Sequence, residues 1–183
     1  MEILNGTKII DTALYLPKHH TLIINDLHIG YEGELHRKGI LVPRFQLKEI
    51  IGKLDNILNK TKTETIIING DLKHEFGSIL KEEWKEVLQF LDHILKKNIK
   101  IIIVQGNHDP IIKPIADKRG VKVVKEYRIN NIIIVHGDEL LETDAKTIII
   151  GHEHPAIKIH EASKWEKYKC FLKGKWKKKG IIA

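Results

Sequence analysis

A chain of 183 residues is long enough to bury a sizeable core and short enough for one domain, expected here over residues 1–183. Its 42% hydrophobic and 30% charged residues exclude a disordered chain, and no apolar stretch approaches the ~20 residues needed to cross a bilayer. One cysteine, Cys170, excludes an internal disulfide and a Cys-rich zinc site and is expected as a small buried apolar residue, and the formal charge of +7 suits polyanionic partners such as nucleic acid. Heavy use of Ile, Lys and Glu is equally what heat adaptation produces. The first residues, Met1 to Gly6, lack a basic region followed by an apolar core, so a cytoplasmic location is expected.

In chain order, Thr7 to Leu16 alternates loosely up to Pro17 and predicts a first strand. Thr21 to Ile24 predicts a second. Pro43 to Leu58 carries a helical stripe (Phe45, Leu47, Ile50, Ile51, Leu54, Ile57 and Leu58), with Pro43 suited to its first turn. Thr65 to Ile68 is a strand. Ser78 to Lys97 is a helix with Ser78 as its N-cap and Lys96 and Lys97 at its C-terminus. Ile101 to Val104 is a strand, and Pro110 to Lys118 a short helix stopped at Gly120. Beyond Gly120, Val121 to Val124, Ile132 to Val135, Thr147 to Ile150, Ala156 to His160 and Tyr168 to Leu172 all predict strands. Strand and helix alternate first and strands then dominate, which an α/β layered sandwich accommodates.

Several Ile/Val runs end in side chains that ligate metals. The clusters read Asp26-Leu27-His28, Gly70-Asp71-Leu72-Lys73-His74, Gly106-Asn107-His108-Asp109, His136-Gly137-Asp138 and Gly151-His152-Glu153-His154. Short apolar runs without a polar face suit strands buried on both sides, and sites in such sheets lie beyond the strands' carboxyl ends. Mixed carboxylate, imidazole and amide donors suit Mn²⁺, Fe, Zn²⁺ or Ni²⁺ better than the all-oxygen shells of Mg²⁺ and Ca²⁺. Residues two apart on an extended segment share a face, which would pair Asp26 with His28 and His152 with His154. Asp71 has two oxygens with which to bridge two ions, and Asn107 ligates without adding charge.

These clusters, in this order, resemble the motif string of the calcineurin-like metallophosphoesterases: D-x-H, G-D-x-x-D/H, G-N-H-D/E, a later His, and G-H-x-H. The stretches Asn25 to Glu32 and Gly70 to Glu75 are similar to small archaeal and bacterial phosphoesterases related to SbcD-type nucleases, some described as DNA-ligase-associated. The resemblance implies a four-layer α/β/β/α sandwich. It implies one metal held by Asp26, His28, Asp71 and His154, and another by Asp71, Asn107, His136 and His152. His108 would touch the phosphate and protonate the leaving oxygen. Two divalent ions are implied, Mn²⁺ first, with Ni²⁺, Fe or Zn²⁺ as the other choices. The expected activity is hydrolysis of a phosphate ester by metal-bound hydroxide, a diester before a monoester. Small cyclic or model diesters come first and nucleic acid second. A monoesterase or nucleotide hydrolase on the same site, or a non-catalytic scaffold, are the competing functions.

Many relatives carry Asp where this chain has His74, and that Asp orients the catalytic His. Here His74 is expected to support the site rather than ligate, and Glu75 and Asp109 become candidates for the partner of His108. Asp109 could equally cap or turn the chain before Pro110. Asp138 and Glu153 are expected to hold the rim or equally to be solvated, and Arg37 and Arg44 are candidates for a substrate phosphate. His19, His20, His36, His93 and His160 read as ordinary surface or hydrogen-bonded residues. Lys164 to Lys179 interleaves lysines with Trp165, Tyr168, Phe171 and Trp176; an edge strand guarded by lysines is the expectation, nucleic-acid contact the alternative. Relatives of this subgroup are expected to continue past Ala183.

Overall fold

The structure, a computed structural model, describes residues 1–4, 6–77, 80–161 and 164–183. Its larger sheet has seven strands in chain order: β1 (Glu2–Leu4), β2 (Thr7–Ile10), β3 (Ala13–Leu16), β4 (Thr21–Ile24), β5 (Thr65–Asn69), β6 (Lys100–Val104) and β7 (Lys122–Val124). β1 to β4 pair antiparallel, and β4 to β7 pair parallel. The helices are α1 (Tyr31–Arg37), α2 (Gln46–Leu58), α3 (Lys81–Leu95) and α4 (Lys113–Asp117). A second sheet of five strands joins β8 (Glu126–Ile129), β9 (Ile132–Val135), β10 (Thr147–Ile149), β13 (Lys173–Trp176) and β14 (Lys179–Ile182) in the order β13-β14-β10-β9-β8. β11 (Ala156–Glu161) and β12 (Lys164–Lys169) form a separate two-stranded ribbon.

The Ile runs explain the layers. Along β4, β5 and β6 successive side chains point to opposite faces, and both faces are covered. Leu22, Ile24, Ile66, Ile68, Ile101 and Ile103 meet the apolar stripes of α2 and α3 through Leu54, Ile57, Val87 and Phe90. Ile23, Ile67, Ile102 and Val104 point the other way, onto Ile134, Ile149 and Ile182 of the second sheet. The outer face of that sheet, Ile133 and Ile148, is covered by Ala145 and Leu141 from the connection 136–146. The result is the expected mixed α/β sandwich with two sheets at its centre. Among the described residues, its outermost layer over the second sheet is that connection rather than a helix.

Several boundaries differ from expectation. Thr7 to Leu16 is a hairpin, turned at Asp11-Thr12 with Asp11 at φ 54°, because Lys8, Ile9 and Ile10 pair back onto Ala13 to Tyr15. α2 starts at Gln46, not near Pro43, because the Glu32 carboxylate of α1 accepts hydrogen bonds at 3.0 Å from the backbone N–H groups of Phe45 and Gln46. That is an N-cap supplied from another helix. α3 starts at Lys81, and the expected cap Ser78 lies outside the described residues. α1, seven residues with no buried position, has no apolar stripe to announce it. Tyr168 to Leu172 is not one strand: β12 ends at Lys169 and Cys170, half-buried, begins the crossing to β13. β13 is the edge of the second sheet, as the lysine-guarded reading requires, while Lys164 to Lys169 belong to the ribbon.

Candidate metal centre

Every parallel strand that carries a motif delivers it to one rim. The segment after β4 runs beside the segment after β5: Asp26 N–H donates to Gly70 O at 3.1 Å, His28 N–H to Asp71 O at 2.9 Å and Ile29 N–H to Leu72 O at 3.0 Å. The segment after β10 is tied to the one after β9, with Gly151 N–H donating to His136 O at 2.8 Å. Asp26 (φ 53°), His28 (45°), Asp71 (51°), His152 (63°) and His154 (43°) all lie in the left-handed region. Their convergence therefore does not come from extended segments, as residue spacing alone implied. Each left-handed residue costs about 1–2 kcal/mol, and the fold concentrates that strain on its ligand-type side chains. Close approach does the rest. A Cβ on Gly70 would overlap the His136 ring, and one on Gly106 the Asp71 carboxylate.

Two donor sets meet at Asp71. Asp26, His28, Asp71 and His154 bring one ligand atom each within 4.8 Å of one another, and so do Asp71, His136 and His152. In the first set, His28 Nε2 stands 3.3 Å from His154 Nε2 and 3.8 Å from Asp71 Oδ2, and His154 Nε2 lies 3.3 Å from Asp26 Oδ1. In the second, His136 Nε2 is 3.3 Å from Asp71 Oδ1, and Asn107 Oδ1 lies 2.9 Å from His136 Nε2 and 3.1 Å from His152 Nδ1. Imidazole nitrogens aimed at one another and at carboxylates, from the buried His136 to the exposed His154, are the arrangement a shared cation relieves. A further triad, His28, His74 and His108, also meets this distance; in it His74 Nε2 is held by Glu34 and His108 Nδ1 by the His74 carbonyl, while His28 Nδ1 and His74 Nδ1 have no hydrogen-bond partner among the described residues.

The hydrogen bonds behind the donors fix their orientation. His136 Nδ1–H donates to the Asn69 carbonyl at 3.2 Å, which leaves Nε2 facing Asp71 and Asn107. Burial alone would raise Asp71, but hydrogen bonds from His136 and from the His108 N–H hold it below the usual carboxylate range. Burial would lower His136, yet the Asp71 carboxylate, helped by the Asn69 carbonyl and Asp26, outweighs it and the net shift is upward. Burial, opposed by Asp71 and reinforced by neighbouring imidazoles, pushes His28 down to about 4, which keeps it a neutral donor.

His108 is held differently from expectation. Its Nδ1–H donates to the main-chain carbonyl of His74 at 2.5 Å, and its Nε2 is 4.0 Å from Asp71 Oδ2. Neither Glu75, which pairs with Arg37, nor Asp109 orients it. The His74 side chain hydrogen-bonds Glu34 at 2.6 Å, and its backbone N–H donates to buried Glu83 at 2.9 Å. Asp109 is fully buried and accepts from Leu72 N–H at 3.1 Å and Lys73 N–H at 3.2 Å, tying two motif loops together. Desolvation, with Asp71 nearby and despite those backbone donors, pushes its carboxyl up to about 6. Arg37 and Arg44 are both paired with carboxylates, Glu75 and Glu82. Among the other histidines, His93 pairs with Asp55, His36 with the Val42 carbonyl and His160 with the Trp165 ring. Beside the first donor set lies a cavity of about 260 Å³ lined by Asp26, His154, Leu54, Phe90, Lys53 and Lys169.

Comparison with known proteins decides the family. A profile of the calcineurin-like phosphoesterases matches residues 19–177. The chain belongs to that family. As a calcineurin-like phosphoesterase it is a metal-dependent hydrolase of phosphate esters. Its fold is similar to the crystal structure of the Pseudomonas putida nuclease MPE, at 21% identity and a TM-score of 0.70 over 94% of this chain and 78% of that one. The Aquifex aeolicus protein AQ665, of unknown function, aligns at 20% identity over 73% of this chain and 78% of that one, with a TM-score of 0.44 that carries no argument. No curated protein matches. No helix among the described residues is long and apolar enough to cross a membrane.

Glu34, Glu83, Asn69 and Gln46 were not singled out in the sequence, yet each fixes part of this calcineurin-like site. Gln46 donates to the His28 carbonyl at 2.8 Å. Only Asn69 left a trace there, a polar residue closing an otherwise apolar strand.

Proposed function

We propose that the chain is a phosphodiesterase that works with two divalent cations, and that residues 1–183 act as one domain. Asp26, His28, Asp71 and His154 would hold one ion; Asp71, Asn107, His136 and His152 would hold the other. The observation that carries this is the pair of convergent donor sets with Asp71 common to both. Mn²⁺ is the first choice for this donor set, followed by Ni²⁺, Fe and Zn²⁺. When bound, the ions lower the pKa of water to supply a nucleophile at neutral pH and neutralise charge on the phosphoryl group.

The chain's own residues do the rest. Asp71 fixes the two donor sets relative to each other through its two oxygens. Asn69 locks the His136 tautomer. His108, with Nδ1–H on the His74 carbonyl and its ring against Phe76, presents Nε2 as the atom that holds a proton for the leaving oxygen. His74 and Asp109 position: one carries that carbonyl under the grip of Glu34 and Glu83, the other clamps the loops bearing Asp71 and His108.

Diester hydrolysis is favoured over monoester hydrolysis by the formal charge of +7 and by the fold shared with a protein named as a nuclease. The test is Mn²⁺-dependent hydrolysis of bis(p-nitrophenyl) phosphate beside p-nitrophenyl phosphate, with and without His108→Ala. The proposal expects the diester to be the better substrate. It expects the variant to retain its metal while turnover falls by roughly 10²–10⁴-fold. Preference for the monoester, or bound metal with no turnover on either, would overturn it.

A further inference from the structure

Two residues beyond His154 the chain enters the β11–β12 ribbon, whose strands pair with each other and with neither sheet, and whose described side chains are all exposed. An isolated two-stranded ribbon is marginal by itself, so a face that it keeps is worth accounting for. Its register, Ala156 opposite Lys169, Lys158 opposite Lys167 and His160 opposite Trp165, puts those residues on one face. Ile157 opposite Tyr168, Ile159 opposite Glu166 and Glu161 opposite Lys164 occupy the other.

The two faces differ in chemistry. The first carries Lys158, Lys167 and Lys169 and no carboxylate. Lys158 and Lys167 are direct cross-strand partners, a like-charge pair that destabilises a ribbon unless an anion lies between them. Beside them is an aromatic platform: the Trp165 ring stacks on His160 at 3.9 Å between centroids, has the Lys158 ammonium 4.0 Å from its centre, and remains 59% exposed. Lys169, at the base of this face, lines the same cavity as Asp26 and His154. The basic face therefore runs outward from the donor sets to Trp165, roughly 13 Å along the strand. The opposite face mixes Ile157, Ile159 and Tyr168 with Glu161, Glu166 and a single cation, Lys164, and so lacks a cationic cluster.

We infer that the basic face of this ribbon is a track for single-stranded nucleic acid, with phosphates on Lys158, Lys167 and Lys169 and a base on Trp165. A single strand is specified because stacking on an exposed indole needs a base free of its own helix. The inference rests on the phosphodiesterase reading and gives that site a polymeric substrate.

The test uses the full chain and a fluorescein-labelled single-stranded oligonucleotide, bound in the presence of a chelator so that nothing is cleaved. The double variant K158E/K167E should bind more than about tenfold more weakly, with a salt-dependence slope lower by roughly 0.7 for each lysine removed. Trp165→Ala should weaken binding by on the order of tenfold. Ile159→Ser, on the opposite face, should leave binding unchanged. All of these variants should hydrolyse bis(p-nitrophenyl) phosphate at the wild-type rate, since that diester is too small to reach the ribbon. Oligonucleotide binding that is untouched by the lysine and Trp165 variants overturns the inference. So does equal damage from Ile159→Ser, or loss of a chain dimer in place of oligonucleotide binding. Ribbon-dependent binding by a protein that hydrolyses no diester would support the track and sink the phosphodiesterase reading alone.

Discussion

Asp71 is the residue on which both donor sets depend, and its two oxygens are set by different neighbours. Oδ1 faces His136 and accepts from the His108 N–H; Oδ2 faces His28. Asp71→Asn keeps the shape and removes the charge, so it should weaken both sites at once. Titration with Mn²⁺ should show affinity falling by a hundredfold or more, on the order expected when a direct ligand rather than its support is lost. Asp109 is a support of that kind. Asp109→Asn would keep one acceptor oxygen but turn an amide N–H group against the backbone N–H of either Leu72 or Lys73, and should cost about 2 kcal/mol in urea unfolding. A variant as stable as the wild type would show that the clamp does not bind the loops. The ligand-type residues were legible in the sequence because few side chains bind metals and each followed an apolar run. The partner of His108 was not, because it is a main-chain carbonyl, and every residue type has one.

At the scale of elements, the strands that position the site were the most legible part of the chain. β4, β5, β6, β9 and β10 are Ile/Val-rich and buried on both faces, and composition alone marks them. The hairpin of β2 and β3 was hidden because Asp11-Thr12 is not one of the Gly-containing turn pairs, and Asp11 takes the left-handed conformation that such a turn needs. α2 shows the limit of local rules more sharply. Its apolar stripe was visible, but its start is decided by Glu32 on α1, thirteen or fourteen residues before the N–H groups it caps. Glu32→Ala should therefore destabilise the fold by about 1 kcal/mol, read as a lower urea midpoint at unchanged slope. No change in midpoint would remove the cap from this account. β11 was readable to within one residue, Ala156 to His160, whereas the strand expected over Tyr168 to Leu172 overlaps β12 only at its end, since no buried face disciplines that pattern.

On the scale of the whole molecule, two sheets share one core, and parallel strands from both end at the same rim. The candidate metal centre is therefore a joint between halves of the sandwich: Asp26, His28, Asp71 and Asn107 come from one sheet's strand ends, His136, His152 and His154 from the other's. Ions bound there would cross-link the two, so their removal should lower stability globally. At a free Mn²⁺ concentration 100 times the dissociation constant the linkage is worth about 2.7 kcal/mol. A chelator should then lower the melting temperature by roughly 5–10 °C for a chain of this size. The central claim is that two cations sit on either side of Asp71, and anomalous diffraction from a crystal soaked in Mn²⁺ tests it most directly. The account predicts two peaks roughly 3.5–4 Å apart, one bounded by Asp26, His28 and His154 and the other by Asn107, His136 and His152. A single peak, or peaks that Asp71 does not touch, would contradict it.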